Sequence, residues 1–121
     1  MSKGLEYNME IKIKVVPKKK IRNDSVGDYK KGKKGLEILV AKVGDKVFQK
    51  GVAIHELVES LLVKQRKIPF SKIDKWDKEH LDVNKEPGEI QGSPYFKEHA
   101  IANKTENILV KELKKKKNGK R

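Results

Sequence analysis

The sequence contains no cysteine, which excludes a disulfide framework and a thiolate metal centre. It has no apolar run approaching the roughly 20 residues needed to cross a bilayer. Its first residues, Met1-Ser2-Lys3-Gly4-Leu5-Glu6, lack the apolar centre of a signal peptide. The expectation is therefore a cytoplasmic chain with no membrane partner. Hydrophobic residues are also scarce, at 36% against 39% charged, whereas average globular chains show the reverse balance. A chain of 121 residues with so little apolar content is expected to build one domain with a thin core over residues 1–113. A flexible lysine-rich tail is expected at 114–121.

Arginine is the next scarcity. The net charge is +13, yet only Arg22, Arg66 and Arg121 carry a guanidinium; the rest of the excess is lysine. Clustered lysines release counterions from a phosphate backbone, so non-specific nucleic-acid contact through a lysine-rich surface is one expectation. Few side chains are available for the bidentate readout of guanine or phosphate. Much of the charge lies in Lys18–Lys34 and Lys111–Arg121. A solvated basic surface is the default reading, and the base composition of the source genome can also produce a lysine bias.

Patterning divides the chain in two. Residues 9–16 alternate apolar and polar with period two, predicting a strand with Met9, Ile11, Ile13 and Val15 inward and Pro17 ending it. A long basic loop follows to Gly35, with a short strand around Val26–Tyr29. Leu36–Val43 reads as another strand. Gly44-Asp45 supplies turn chemistry, after which Lys46-Val47-Phe48 can return as an antiparallel partner. From Val52 the period changes: Ala53, Ile54, Leu57, Val58, Leu61 and Leu62 fall on one broad arc of a helix reaching Arg66. Ser71 with Asp74 resembles a capping box opening a second helix to about His80. Beyond the helix-breaking Glu86–Gly92 stretch, Ser93 as N-cap and Pro94 as first helical residue predict a third helix to about Lys115. The fold class that follows is α+β: a small, mainly antiparallel sheet of three or four strands in the N-terminal half, packed by three helices.

Chemistry concentrates on the helices. His55 and Glu59 are spaced i, i+4, one above the other at the flank of the apolar arc. His55-Glu56-Leu57-Val58-Glu59 departs from the His-Glu-x-x-His of metal-dependent hydrolases only at its fifth position. A glutamate there can ligate zinc and also admits the harder manganese or iron. Further ligands would come from Asp77, which with Asp74 is spaced i, i+3 around Trp76, and from His99. Glu106 lies two turns beyond His99 on the face of Ala102, Leu109 and Leu113. Inward ionisable groups are costly unless paired or ligated. Plainer readings stand beside these: a hydrogen-bonded His55–Glu59 pair at a core rim, Asp74 as a helix cap, His99 as a satisfied core histidine, and His80 as a helix-end residue.

The segment Val52–Glu59, with Val26-Gly27-Asp28, Ile73-Asp74-Lys75-Trp76-Asp77 and Pro94-Tyr95 before His99, resembles a family of small uncharacterised bacterial and bacteriophage proteins over Met9–Leu113. At the level of motif, Ile-His-Glu-Leu-x-Glu after a strand pair looks like a minimal zincin. That resemblance implies a zincin-like fold and a divalent metal, zinc foremost, on His55, Glu59, and His99 or Asp77. It also implies Glu56 as general base in hydrolysis of a peptide or related bond; Asp74 and Glu106 are candidate supporting residues around such a site. The substrate stays unknown. A second resemblance, of Glu56-x-x-Glu59 and Asp74-x-x-Asp77 to the all-α MazG-like nucleotide pyrophosphohydrolases, implies magnesium on four carboxylates.

Overall fold

The computed structural model describes residues 10–81 and 84–118. Three strands, β1 (Glu10–Val16), β2 (Gly27–Lys31) and β3 (Gly35–Ala41), form one sheet in the order β1-β3-β2. Three helices follow: α1 (Lys46–Gln65), α2 (Phe70–Glu79) and α3 (Phe96–Asn118). The α+β class holds. The sheet is mixed rather than mainly antiparallel, since β3 pairs antiparallel with β2 and parallel with β1. Parallel neighbours need a crossover, and the ten residues from Pro17 to Val26, with β2 itself, supply it. The most continuously apolar strand, β3, takes the centre, burying Ile38, Val40 and Ala41.

Two expectations about the first half are corrected. Register places Ile13 beside Ile38 and Val15 beside Val40, on the sheet face that carries the core. However, α1 lies over β2 and β3, so Ile11, Ile13 and Val15 on edge strand β1 stay 36%, 48% and 51% exposed; Met9 lies outside the described residues. Lys46-Val47-Phe48 is the first turn of α1, not a strand. The Asp45 carboxylate accepts the Phe48 N–H at 2.8 Å, so the apparent turn signal at Gly44-Asp45 is a helix N-cap.

The core has two centres. Tyr29, Ile38, Val40 and Val52 join sheet to α1, with Phe70 edge-on to Tyr29 at 5.1 Å between ring centroids. Val63, Ile73 and Tyr95 join α1, α2 and the turn that leads into α3. Full burial of a side chain such as Ile38 contributes about 1.5–3 kcal/mol. At the start of α2, Pro69 occupies the cap position with no side-chain cap, and Asp74 is bonded to Arg22 instead of capping the helix. Before α3, the Ser93 hydroxyl accepts the Tyr95 N–H at 3.1 Å, so Ser93 caps a turn that precedes the helix. The helix continues past Lys115 to Asn118, into the segment expected to be a tail.

Candidate metal centre

The most buried stripe of α1 is not its apolar arc. Val52, His55, Glu59 and Val63 are buried, while Leu61, placed on that arc, is 40% exposed. The helix lies between the sheet and α3, so its apolar flanks are shared and its polar pair occupies the seam. His55 and Glu59 are thus core residues, 7% and 5% exposed. A buried carboxylate needs several partners, and Glu59 has three. Its Oε1 lies 3.1 Å from His55 Nε2 and 3.0 Å from His99 Nδ1. Its Oε2 accepts the Tyr29 hydroxyl at 2.8 Å. The two imidazoles meet edge to face, 4.8 Å between centroids.

Each histidine also faces a carboxylate with its other nitrogen. His55 Nδ1 is 3.0 Å from Glu106 Oε1, and His99 Nε2 is 2.9 Å from Glu86 Oε1. The second contact is out of line, leaving Nε2 buried without a hydrogen-bond partner among the described residues. Gly88 makes this packing feasible: a Cβ there would stand 2.6 Å from His99 Cγ. Burial pulls the His55 imidazole down, but Glu106 and Glu59 outweigh it and raise its pKa to about 10. His99 follows the same balance, burial against Glu59 and Glu86, and rises to about 9. Glu59, against its burial, is held below the usual carboxylate range by both imidazoles.

Glu56 borders the same cleft, a space of about 440 Å³. It makes no side-chain hydrogen bond among the described residues, and it packs against Gly27, where a Cβ would be 2.8 Å from Glu56 Oε2. Burial and the Glu59 charge push its carboxyl well above the ordinary range. Asp77 lines the cleft too, but accepts the Tyr95 hydroxyl at 2.6 Å and stands outside the His55–Glu59–His99 group. Burial, then Glu59, Asp74 and Asp28, raise it to about 6 despite that bond. Asp74 shares the Arg22 guanidinium with Asp28, at 3.1 Å against 2.7 and 3.0 Å. His80 caps the end of α2 and stacks on Trp76 at 3.8 Å.

His55, Glu59 and His99 are therefore brought together as a buried group that could hold a metal ion, with one donor atom from each within 4.8 Å of the others. Donors of a tetrahedral zinc at ~2.0–2.1 Å lie roughly 3.3 Å apart. Of the three spacings, the two to Glu59 Oε1, 3.1 and 3.0 Å, need open by only a few tenths of an ångström. Two imidazoles and one carboxylate are also an ordinary zinc donor set. Sequence patterning does not single out Tyr29, Glu86 or Arg22. Tyr29 reads as a strand residue and Glu86 as part of a helix-breaking loop; neither carries a local signal of its distant partner. No protein-family model, curated protein or solved structure matches the chain.

Proposed function

We propose that the protein is a zincin-like metal-dependent hydrolase whose divalent ion, zinc foremost, is held by His55 Nε2, Glu59 Oε1 and His99 Nδ1. One observation carries this reading. Both imidazoles turn one nitrogen to the same Glu59 oxygen and the other to a separate carboxylate, Glu106 or Glu86. Metal-ligating histidines are oriented in this manner, by a carboxylate on the nitrogen away from the ion. A satisfied core histidine needs no second carboxylate, and two of them need no common focus.

When bound, the ion supplies Lewis acidity to a carbonyl and to water. The chain's own residues do the rest. Glu106 holds the far nitrogen of His55, Glu86 stands against the far nitrogen of His99, and Tyr29 fixes Glu59 through Oε2. Glu56, which borders the cleft and makes no side-chain hydrogen bond among the described residues, suits a base that would take a proton from attacking water and return it to a leaving amine. Asp77 and Tyr95 shape the cleft wall. A four-carboxylate magnesium centre is less favoured, because Asp74 and Asp77 are committed to Arg22 and Tyr95 and the fold is α+β, not all-α.

Elemental analysis of tag-free protein tests the reading. One transition metal per chain, lost in His55→Ala and in His99→Ala, is expected. Wild-type protein that takes up none after reconstitution with zinc, manganese and iron overturns it.

A second reading, a basic module that contacts nucleic-acid phosphates, draws on the sheet face away from α1. There Lys14 and Lys30 flank Glu37 at 3.1 and 3.5 Å, and Lys12 is registered on Glu37. It predicts binding that weakens steeply with salt; salt-insensitive binding, or none, rejects it.

A further inference from the structure

The turn Glu86-Pro87-Gly88-Glu89 closes over the far side of His99. It is a single 3-10 turn, with the Glu89 N–H donating to the Glu86 carbonyl at 2.8 Å. That bond draws Glu86 and Glu89, the first and fourth residues of the turn, close to each other. Gly88 between them is buried against the His99 ring. The ring side chain is 6% exposed, and its Nε2 has no in-line hydrogen-bond partner among the described residues. One oxygen from each glutamate and a nitrogen of His99 lie within 4.8 Å of one another.

We propose that Glu86, Glu89 and His99 Nε2 form a second divalent-cation site, more exposed than the central one and joined to it through the His99 ring. It rests on the reading of the central site only in sharing that ring. A hydrogen bond to Glu86 alone accounts neither for its misalignment nor for the presence of Glu89. A buried ring nitrogen lacking an aligned partner forfeits its hydration without recompense, and a cation in line with Nε2 removes that cost. Two carboxylates and one imidazole suit zinc or manganese. On filling, Nε2 releases its proton to solvent and the ring carries an ion at each nitrogen. Repulsion between the two ions, the single imidazole and solvent exposure all make the second ion the weaker. Filling also takes Glu86 from its orienting position on the ring, so excess metal perturbs the central site.

The test is zinc titration of the ion-free full-length protein by calorimetry with equilibrium dialysis, beside Glu89→Gln. Glu89 is exposed and does not belong to the central group, so this variant is expected to fold normally, which circular dichroism checks. Wild type is expected to bind two equivalents. Glu89→Gln should keep the first and weaken the second by at least about tenfold, as even outer-shell losses weaken metal binding by 10–100-fold. A second equivalent that survives in Glu89→Gln is an adventitious ion only and overturns the proposal. One equivalent in wild type overturns it while leaving the central site standing; none overturns both. Copper loading tests the shared ring: the electron paramagnetic signal per copper should fall on adding the second equivalent, as a bridging imidazolate couples the spins. An undiminished signal overturns the bridge.

Discussion

Replacing Gly88 with alanine perturbs the candidate centre by one methyl group placed against one ring. Gly88 has no left-handed φ, so alanine introduces no backbone strain and the effect is steric. The new Cβ would stand 2.6 Å from His99 Cγ and 2.8 Å from both His99 Nδ1 and Tyr95 Cε2. Carbon contacts settle near 3.5 Å or beyond, so the ring must retreat by roughly 0.9 Å or the turn must lift. Overpacking of this kind costs about 1–3 kcal/mol. A shift of that size displaces Nδ1, now 3.0 Å from Glu59, whereas metal ligands must be placed to within ~0.2 Å. Zinc affinity should fall by 10–100-fold or more. Urea unfolding measures the first effect and competition with a chromophoric chelator the second. Gly32→Ala is the control, because its Cβ would meet nothing closer than 3.5 Å and stability should change by no more than about 0.5 kcal/mol. A Gly88→Ala protein that folds stably and binds zinc as tightly as wild type would show that the His99 ring does not need its present position.

Tyr29→Phe removes the donor from Glu59 Oε2 and should cost about 1.5–3 kcal/mol, the range for a buried bond to a charged group; unchanged urea unfolding would contradict this. Arg22→Ala frees Asp28 and Asp74, but the guanidinium is 44% exposed, so solvent screening limits the loss to about 1 kcal/mol. A loss several times larger in the same assay would show that this ion pair does more than tie the β2 entry to α2. For ion-free protein, the folded pKa values of about 10 for His55 and about 9 for His99 lie above the ordinary 6.5. Protonation therefore stabilises the fold fully below about pH 6.5, and that stability is lost as pH rises through 9 to 10. Each pKa unit corresponds to ~1.36 kcal/mol, so the coupled pair should lose on the order of a few kcal/mol between pH 6.5 and 10 in chelator. Zinc affinity should move oppositely, rising with pH because the protons on His55 Nε2 and His99 Nδ1 must leave. A flat stability profile, or zinc binding without proton release, would contradict both.

The elements with strong local patterns are legible in the sequence. The change of period announces α1, and the short strand at Val26–Tyr29 is close to β2. His55, Glu59 and His99 stand out because inward polar groups on apolar faces demand partners, and the fold brings those three together. What escapes depends on tertiary context. Asp45 is a good turn residue and a good N-cap, and only the helix behind it decides between them. The alternation of β1 predicts one apolar face, but how far α1 extends across the sheet leaves that face exposed. The parallel pairing of β1 has no local signature. Asp77 stands second to His99 as the further ligand on the sequence; the Tyr95 hydroxyl on its carboxylate sets it apart in the structure. The depth of His55 exceeds what its flank position suggests, because the shared seam between sheet and α3 buries a stripe one position away from the apolar arc.

The central metal site is tested most directly by an anomalous difference map at the zinc edge from crystals of the zinc-reconstituted protein. A strong peak is expected, bounded by His55 Nε2, Glu59 Oε1 and His99 Nδ1, with those atoms drawn apart from their present 3.0–3.1 Å spacings. A map with no peak there, and with both imidazoles still hydrogen-bonded to Glu59, would contradict it. The group would then be a buried ion-pair network that holds α1, α3 and β2 together.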